Sequence, residues 1–423
     1  MAKKHIKTEA KPVLTKRQLS RHKRQERIQH IIYISGAVFL VLLIAFLGYG
    51  FWNEQIKPFH QPAATINGVT YDMDYYVKFL NLYTIGKDAT ETATTADHLI
   101  DVIHYNQAII NAAPELGIEV SDDDINNALK TVGLPDNKVN RDAIEASLLV
   151  NNLTRDYFDK QVPASVEQVD TQAMLVESAD IADQVRARLA VGDNFTAKAI
   201  EYSQEPFTKD NGGNVGWLPK GYATLLLGSL GNSALKDIPF TLQAGELSQP
   251  TFDGTVTKSI GYWVVQVTEL DPKKGSHVRG ILASSRHDAE MIREKILAGE
   301  DFATLVKTYS QDATTAAKDG EIGWTEDGTI ANRLILGLAM PLQAGGVSQP
   351  GADTSVETVG GFWLVKAVDR DDNRVIDDST RRMITTGLFE NWISEKMKND
   401  SVTMLLTDEQ KAWAINIVVK SRG

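Results

Sequence analysis

Residues 182–204 read ADQVRARLAVGDNFTAKAIEYSQ, and residues 289–311 read AEMIREKILAGEDFATLVKTYSQ. The second stretch repeats the first at an offset of 107 positions: Phe195 answers Phe302, and Tyr202-Ser203-Gln204 answers Tyr309-Ser310-Gln311. The match runs on through Gly213 and Gly320 to Gly216-Trp217 and Gly323-Trp324. Beyond the tryptophan the offset falls to 100, where Leu242-Gln243-Ala244-Gly245 meets Leu342-Gln343-Ala344-Gly345. Ser248-Gln249-Pro250 then meets Ser348-Gln349-Pro350, and Gly261-Tyr262-Trp263 meets Gly361-Phe362-Trp363. The second copy is thus seven residues shorter in one loop. A period near 100 marks duplicated globular domains, since solenoid repeats run about 20–50 residues.

Both copies have the same order of elements. A short strand (171–177; 278–284) leads into an amphipathic helix, and a second short helix ends at Tyr-Ser-Gln. A glycine turn, further short elements and a last strand (262–267; 362–368) follow. Strands and helices interleave without long parallel βαβ units, which predicts a compact α+β fold.

The chain around the repeats is asymmetric in charge. Its 423 residues carry 44 Lys plus Arg against 55 Asp plus Glu, a net charge of −11, and no cysteine. Residues 1–30 hold ten Lys/Arg against Glu9 and Glu26, a surplus of eight positive charges, so the rest of the chain carries −19. Ile31 to Trp52 (IIYISGAVFLVLLIAFLGYGFW) has no charge over 22 residues. At about 1.5 Å per residue a helix of this length covers a hydrocarbon core of about 30 Å. Tyr33 lies near one end and Tyr49, Phe51 and Trp52 near the other, as interfacial aromatics do. Lys and Arg resist translocation, so the expected topology is single-pass in the cell membrane, with 1–30 cytoplasmic and 53–423 outside. The apolar run exceeds the 7–15 residues of a typical cleaved signal, which favours an uncleaved anchor. An acidic exterior is a poor phosphate binder, so nucleic acid is not an expected partner. Without cysteine there are no disulfides, thiolate metal sites or thiol nucleophiles.

Between the anchor and the repeats, Asn67-Gly68 flanked by apolar alternation predicts a strand and tight turn. Asp97 is placed as the cap of an amphipathic helix through Leu99, Ile103 and Ile110, and Ser121–Asp124 as an acidic capping box. At the far end, residues 380–397 show helical spacing of Ile384, Leu388, Trp392 and Met397, and Ala414–Val419 reads as a closing strand.

These motifs resemble a known family. The Tyr-Ser-Gln, Gly-x-x-Gly-Trp, Leu-x-x-Gly-x-x-Ser-x-Pro and Gly-x-Trp positions of both copies are similar to parvulin-type (PpiC-like) peptidyl-prolyl isomerase domains. The exported part, about 64–420, resembles the SurA and PrsA-like extracytoplasmic foldases; Ile66-Asn67-Gly68 and Gly117–Asp122 look like the start of their helical chaperone domain. The resemblance implies a tail (1–30), a transmembrane helix (31–52) and a helical chaperone domain (53–165). Two parvulin-like domains (166–272 and 276–371) follow, and a C-terminal segment (372–423) returns to complete the chaperone domain.

Family members are expected to place two histidines and a Cys or Asp around an apolar proline pocket. Here the first histidine position holds Ala173 and Gly280, and the second holds Trp263 and Trp363. The acidic position survives as Glu205 and Asp312, the only catalytic candidates, each equally readable as a solvated loop acid. Pocket positions fall on Leu235 and Phe240 in the first copy and on Ile335 and Met340 in the second, with Gly231 and Ala331 near the family's methionine. Trp263 and Trp363 read either as a peptide platform or as core. His277, an odd number of residues from Gly280, belongs to the opposite strand face. The eight scattered histidines offer no metal-ligand spacing, and no metal or small-molecule cofactor is expected.

Three functions follow from these residues. One is a membrane-tethered chaperone binding unfolded or newly exported polypeptides, its isomerase activity weak or lost. A second is an active prolyl isomerase using Glu205 or Asp312. The third is a structural scaffold of an envelope complex.

Overall fold

The computed structural model describes residues 38, 40–47, 49–50 and 52–422. The basic tail and residues 31–37, 39, 48 and 51 of the expected span lie outside the described residues. Residues 40–47 are helical, and Leu40, Leu42, Phe46 and Leu47 expose their side chains. Among the described residues no helix is long and apolar enough to cross a membrane.

The described residues form two compact units, one running up to Leu153 and resuming at Trp392, and the other Thr154–Asn391. Strands β1 (Pro62–Ile66) and β2 (Val69–Asp72) open the first unit. In the second unit come β3 (Ser165–Val176), β4 (Asn214–Pro219), β5 (Thr251–Lys258) and β6 (Gly261–Asp271). They are followed by β7 (Gly275–Ala283), β8 (Glu321–Trp324), β9 (Gly351–Asp353) and β10 (Thr358–Val375), and β11 (Val402–Met404) lies in the first unit.

In the first unit β1 and β2 join through Asn67 (φ 49°) and Gly68 (φ 81°), the paired positive φ angles of a tight hairpin turn. β11 adds to the other side of β1, so the C-terminal segment completes this sheet. Asp400 secures the return by accepting from Asn67 Nδ2 at 2.7 Å and by pairing with His104 Nε2 at 2.8 Å.

Two sequence expectations change here. Ala414–Val419 is not a strand but part of the helix Asp408–Lys420; a Thr407–Gln410 capping box starts it, and Ala414 and Val418, one turn apart, bury on the core of Tyr76, Phe79 and Leu99. Packing outweighs the β-branched run. Asp97 is not a cap, since the helix begins eight residues earlier at Ala89, where Asp88 and Glu91 form the capping box, and Asp97 instead meets Lys411 at 2.8 Å. The acidic capping box at Ser121 and Asp124 is present as read.

In the second unit the sequence repeats and the folded sheets do not share boundaries. One sheet has the order β4-β3-β10-β5, the other β8-β7-β6-β9, all antiparallel. The first strand of the first repeat therefore pairs with the last strand of the second (Ala173 opposite Val365, Leu175 opposite Trp363). The last strand of the first repeat turns back on the first strand of the second (Trp263 opposite Leu282, Asp271 opposite Gly275). Only residues 272–274 separate β6 from β7, and so short a link closes most readily as a hairpin.

The shared motifs follow the exchange. Ser248 bonds Val365 in both directions, its N–H donating to the Val365 carbonyl at 2.8 Å and its Oγ accepting from Val365 N at 3.0 Å, and Ser348 does the same with Val265. By contrast Tyr-Ser-Gln stays with its own repeat. Gln204 N donates to Leu175 O and Gln311 N to Leu282 O, both at 2.8 Å.

Candidate functional site

A groove of about 470 Å³ lies over the sheet that contains β3 and β10. Three elements of the first repeat build most of it. Phe207 follows Glu205-Pro206, Val215 and Trp217 come from β4, and Leu226, Leu227 and Leu230 come from the segment after Gly221. Gly213 sets the approach of β4: at φ 81° it bonds Ala173 N, and a Cβ there would lie 2.8 Å from the Phe195 ring. Thr380 and Met383, on the helix Asp378–Met397, close one wall. Phe207 and Met383 are about half exposed (49% and 51%), so the apolar rim faces solvent. Arg374 stacks on Trp217, its guanidinium carbon 3.9 Å from the ring centre.

No lining side chain ionises between pH 2 and 12. The groove therefore offers apolar surface and the hydroxyls of Ser229 and Thr380, with no carboxylate, imidazole or amine side chain among its lining residues. Such a surface suits an apolar stretch of polypeptide.

The residues singled out in the sequence are placed elsewhere. Glu205 is buried as the N-cap of Pro206–Asp210, accepting from Phe207 N at 3.0 Å and Thr208 N at 2.7 Å. Asp312 caps Ala313–Ala316 in the same way, from Thr314 N at 3.4 Å and Thr315 N at 3.1 Å. Both carboxylates thus serve helix starts.

Trp363 is fully buried (0% exposed) and Trp263 nearly so (4%), and neither offers a ring face to solvent. Each indole N–H donates to an aspartate of its own sheet, Trp363 to Asp253 Oδ2 at 3.1 Å and Trp263 to Asp353 Oδ2 at 3.2 Å. Hydrogen bonds hold both aspartates below the usual carboxylate range against the opposing effect of burial. Ala173 and Leu235 share the Trp363 core, and Phe240 packs half-buried against it. In the other sheet Ile335 packs with Trp263, while Met340 stands 80% exposed past the end of its helix. A side chain at Gly280 would meet Ile322 at 2.7 Å and Trp263 at 3.2 Å, so the indole fills the space a histidine there would need.

The exchange also re-pairs these positions. Ala173 joins Trp363, and Gly280 joins Trp263, each pair drawn from different repeats. Sequence reasoning missed Phe207, Leu226, Leu227 and Met383. A signal was present: the seven extra residues of the first repeat fall between Trp217 and Leu242, the stretch that supplies one groove wall.

Comparison with known proteins picks out the two sequence repeats. The PPIC-type PPIASE domain model (Rotamase) matches residues 163–269 and 277–369. The chain is 26% identical over 263 residues to chaperone SurA of Alkalilimnicola ehrlichii, covering 56% of this chain and 56% of that one. It is 25% identical over 246 residues to foldase protein PrsA of Caldanaerobacter subterraneus, covering 55% of this chain and 72% of the relative. The chain thus spans about half the length of the SurA relative it matches. The crystal structure of peptidylprolyl isomerase (PrsA) from Bacillus anthracis covers 76% of this chain and 95% of its own at 12% identity, with a TM-score of 0.27. With two PPIC-type segments and SurA and PrsA among its relatives, the protein is a SurA/PrsA-like chain of the parvulin type.

Proposed function

We propose that this protein is a membrane-anchored extracytoplasmic chaperone that holds unfolded or newly exported polypeptides, with isomerase activity weak or lost. The observation that carries the reading is the groove, which presents Phe207, Leu226, Leu227 and Met383 and no carboxylate or imidazole among its lining residues, while both candidate acids are engaged as helix caps. Holding an apolar segment needs buried area and no proton transfer. The relatives named chaperone SurA and foldase PrsA support the same reading. Anchoring rests on the uncharged run 31–52 behind a basic tail, and on the exposed apolar side chains of residues 40–47. The partners are then the client polypeptide and the membrane, the groove and 31–52 being their respective contacts.

The test is suppression of client aggregation by the full chain, unsubstituted and as Phe207→Ser with Met383→Ser. Removing two half-exposed apolar side chains is expected to weaken client binding about tenfold, at ~25 cal/mol per Å² of lost contact. No suppression by the unsubstituted chain would end the chaperone reading and favour a scaffold.

The two PPIC-type segments favour a second reading, an active isomerase. Rotation about X–Pro faces a barrier of about 18–20 kcal/mol and needs no covalent step, so an apolar groove that binds the twisted peptide selectively lowers it. Acceleration in a protease-coupled assay, abolished by Glu205→Ala or Asp312→Ala, selects that reading.

A further inference from the structure

The strands that change places share one residue pattern. Gly261-Tyr262-Trp263-Val264-Val265 and Gly361-Phe362-Trp363-Leu364-Val365 carry the same pattern, and their partners β3 and β7 are equivalent positions of the two repeats. Ladder bonds and the two-residue period are alike in either pairing. They discriminate poorly between the exchanged arrangement and one in which each repeat keeps its own last strand. The short link between β6 and β7 favours exchange. A second selector sits where the two connections cross.

Lys258 ends β5 opposite Thr358, is 1% exposed, and donates from Nζ to the carbonyl of Gly360. Thr358 Oγ1 in turn donates to the carbonyl of Ile260, tying one connection to the other. Tyr262, just inside β6, donates its hydroxyl to Glu177 Oε2 at 2.8 Å, and Glu177 is buried directly after β3. Burial pushes Lys258 down to about 8, opposed by the carboxylates of Glu177 and Asp288. The end of β3, both sides of the first connection and the start of β10 therefore meet in one buried polar network. Equivalence between the repeats shows how specific it is: Ser284, Thr358 and Phe362 stand where the first repeat has Glu177, Lys258 and Tyr262.

We infer that Glu177, Lys258 and Tyr262 form a pin that selects the exchanged strand pairing. If each repeat kept its own last strand, β10 would leave this sheet and carry the Gly360 carbonyl away from Lys258. A buried ammonium would lose its acceptor, which is costly, and choosing between competing pairings is the best-attested use of buried polar groups.

The absence of cysteine makes engineered pairs unambiguous in the full chain. Gln172 lies opposite Lys366 across β3 and β10, and by repeat equivalence it would lie opposite Gln266 without exchange. Directly opposed positions suit disulfide geometry. Q172C/K366C is expected to oxidise within the chain, and Q172C/Q266C to stay reduced. Adding E177S, K258T and Y262F, which install the residues the other repeat carries, is expected to raise Q172C/Q266C cross-linking more than about tenfold. The triple variant cross-linking only through Q172C/K366C, at the unsubstituted rate, would overturn the pin. Q172C/Q266C cross-linking in the unsubstituted chain, or Q172C/K366C bonds formed between chains, would overturn the within-chain exchange itself. Should the triple variant fail to fold, K258T alone removes the ammonium whose Gly360 acceptor depends on the exchanged pairing and is expected to shift the ratio in the same direction; an unmoved ratio in a folded K258T chain counts against the pin.

Discussion

Replacing Glu205 by Ala separates a structural acid from a catalytic one. The side chain is buried and satisfies two backbone N–H groups, of Phe207 at 3.0 Å and of Thr208 at 2.7 Å. An N-cap to Ala change costs about 0.5–2 kcal/mol, and a buried N–H left without a partner costs about 1–3 kcal/mol. These ranges describe overlapping effects, so the expected loss is about 2–3 kcal/mol. At 2–4 °C per kcal/mol for a unit of this size, Tm falls by about 4–12 °C. The assay pairs urea unfolding of the full chain with protease-coupled isomerisation at a temperature where the variant is folded. The expected outcome is a lower midpoint and an isomerisation rate within about twofold of the unsubstituted chain, less than the ~1.4 kcal/mol that a tenfold change represents. A rate that collapses tenfold or more while the midpoint stays put would refute the capping argument and make Glu205 catalytic.

Asp312→Ala removes longer bonds from a half-exposed cap and is expected to cost less, about 1 kcal/mol by the same urea assay. Gly213→Ala places a Cβ 2.8 Å from Phe195 at a φ of 81°, and a loss of about 2 kcal/mol or more is expected in the unfolding midpoint. Lys258 gives a pH signature. It releases its proton at about 8 in the folded chain against 10.5 ordinarily. Between those values the unfolded chain binds more protons, so this group's contribution makes stability rise with pH. Comparing unfolding at pH 7.5 and 10, the unsubstituted chain is expected to gain about 2 kcal/mol relative to Lys258→Met. Equal changes in both chains would contradict a buried, charged Lys258.

The duplication, the α+β composition, the Asn-Gly hairpin and the Ser121 capping box were legible in the sequence because each depends on neighbours or on a direct repeat of residues. The anchor expectation rests likewise on local composition. What lay beyond the sequence depended on long-range choice. β3 and β10 pair residues almost two hundred positions apart, and two last strands of similar pattern competed for two first strands at equivalent repeat positions. Pattern alone assigned each last strand to its own repeat; the short 272–274 link and the buried Glu177–Lys258–Tyr262 network accompany the opposite pairing. The same dependence hid the site. Glu205 and Asp312 looked free for chemistry until the helices they cap were in place, and Trp263 and Trp363 could have been platforms until their aspartates enclosed them. The sequence by itself determined the duplication and most of the elements of each repeat, but not the state of 414–419, where burial made a helix of a β-branched run. Only the tertiary structure decided which of them meet, because burial and strand pairing are properties of partners that periodicity does not name.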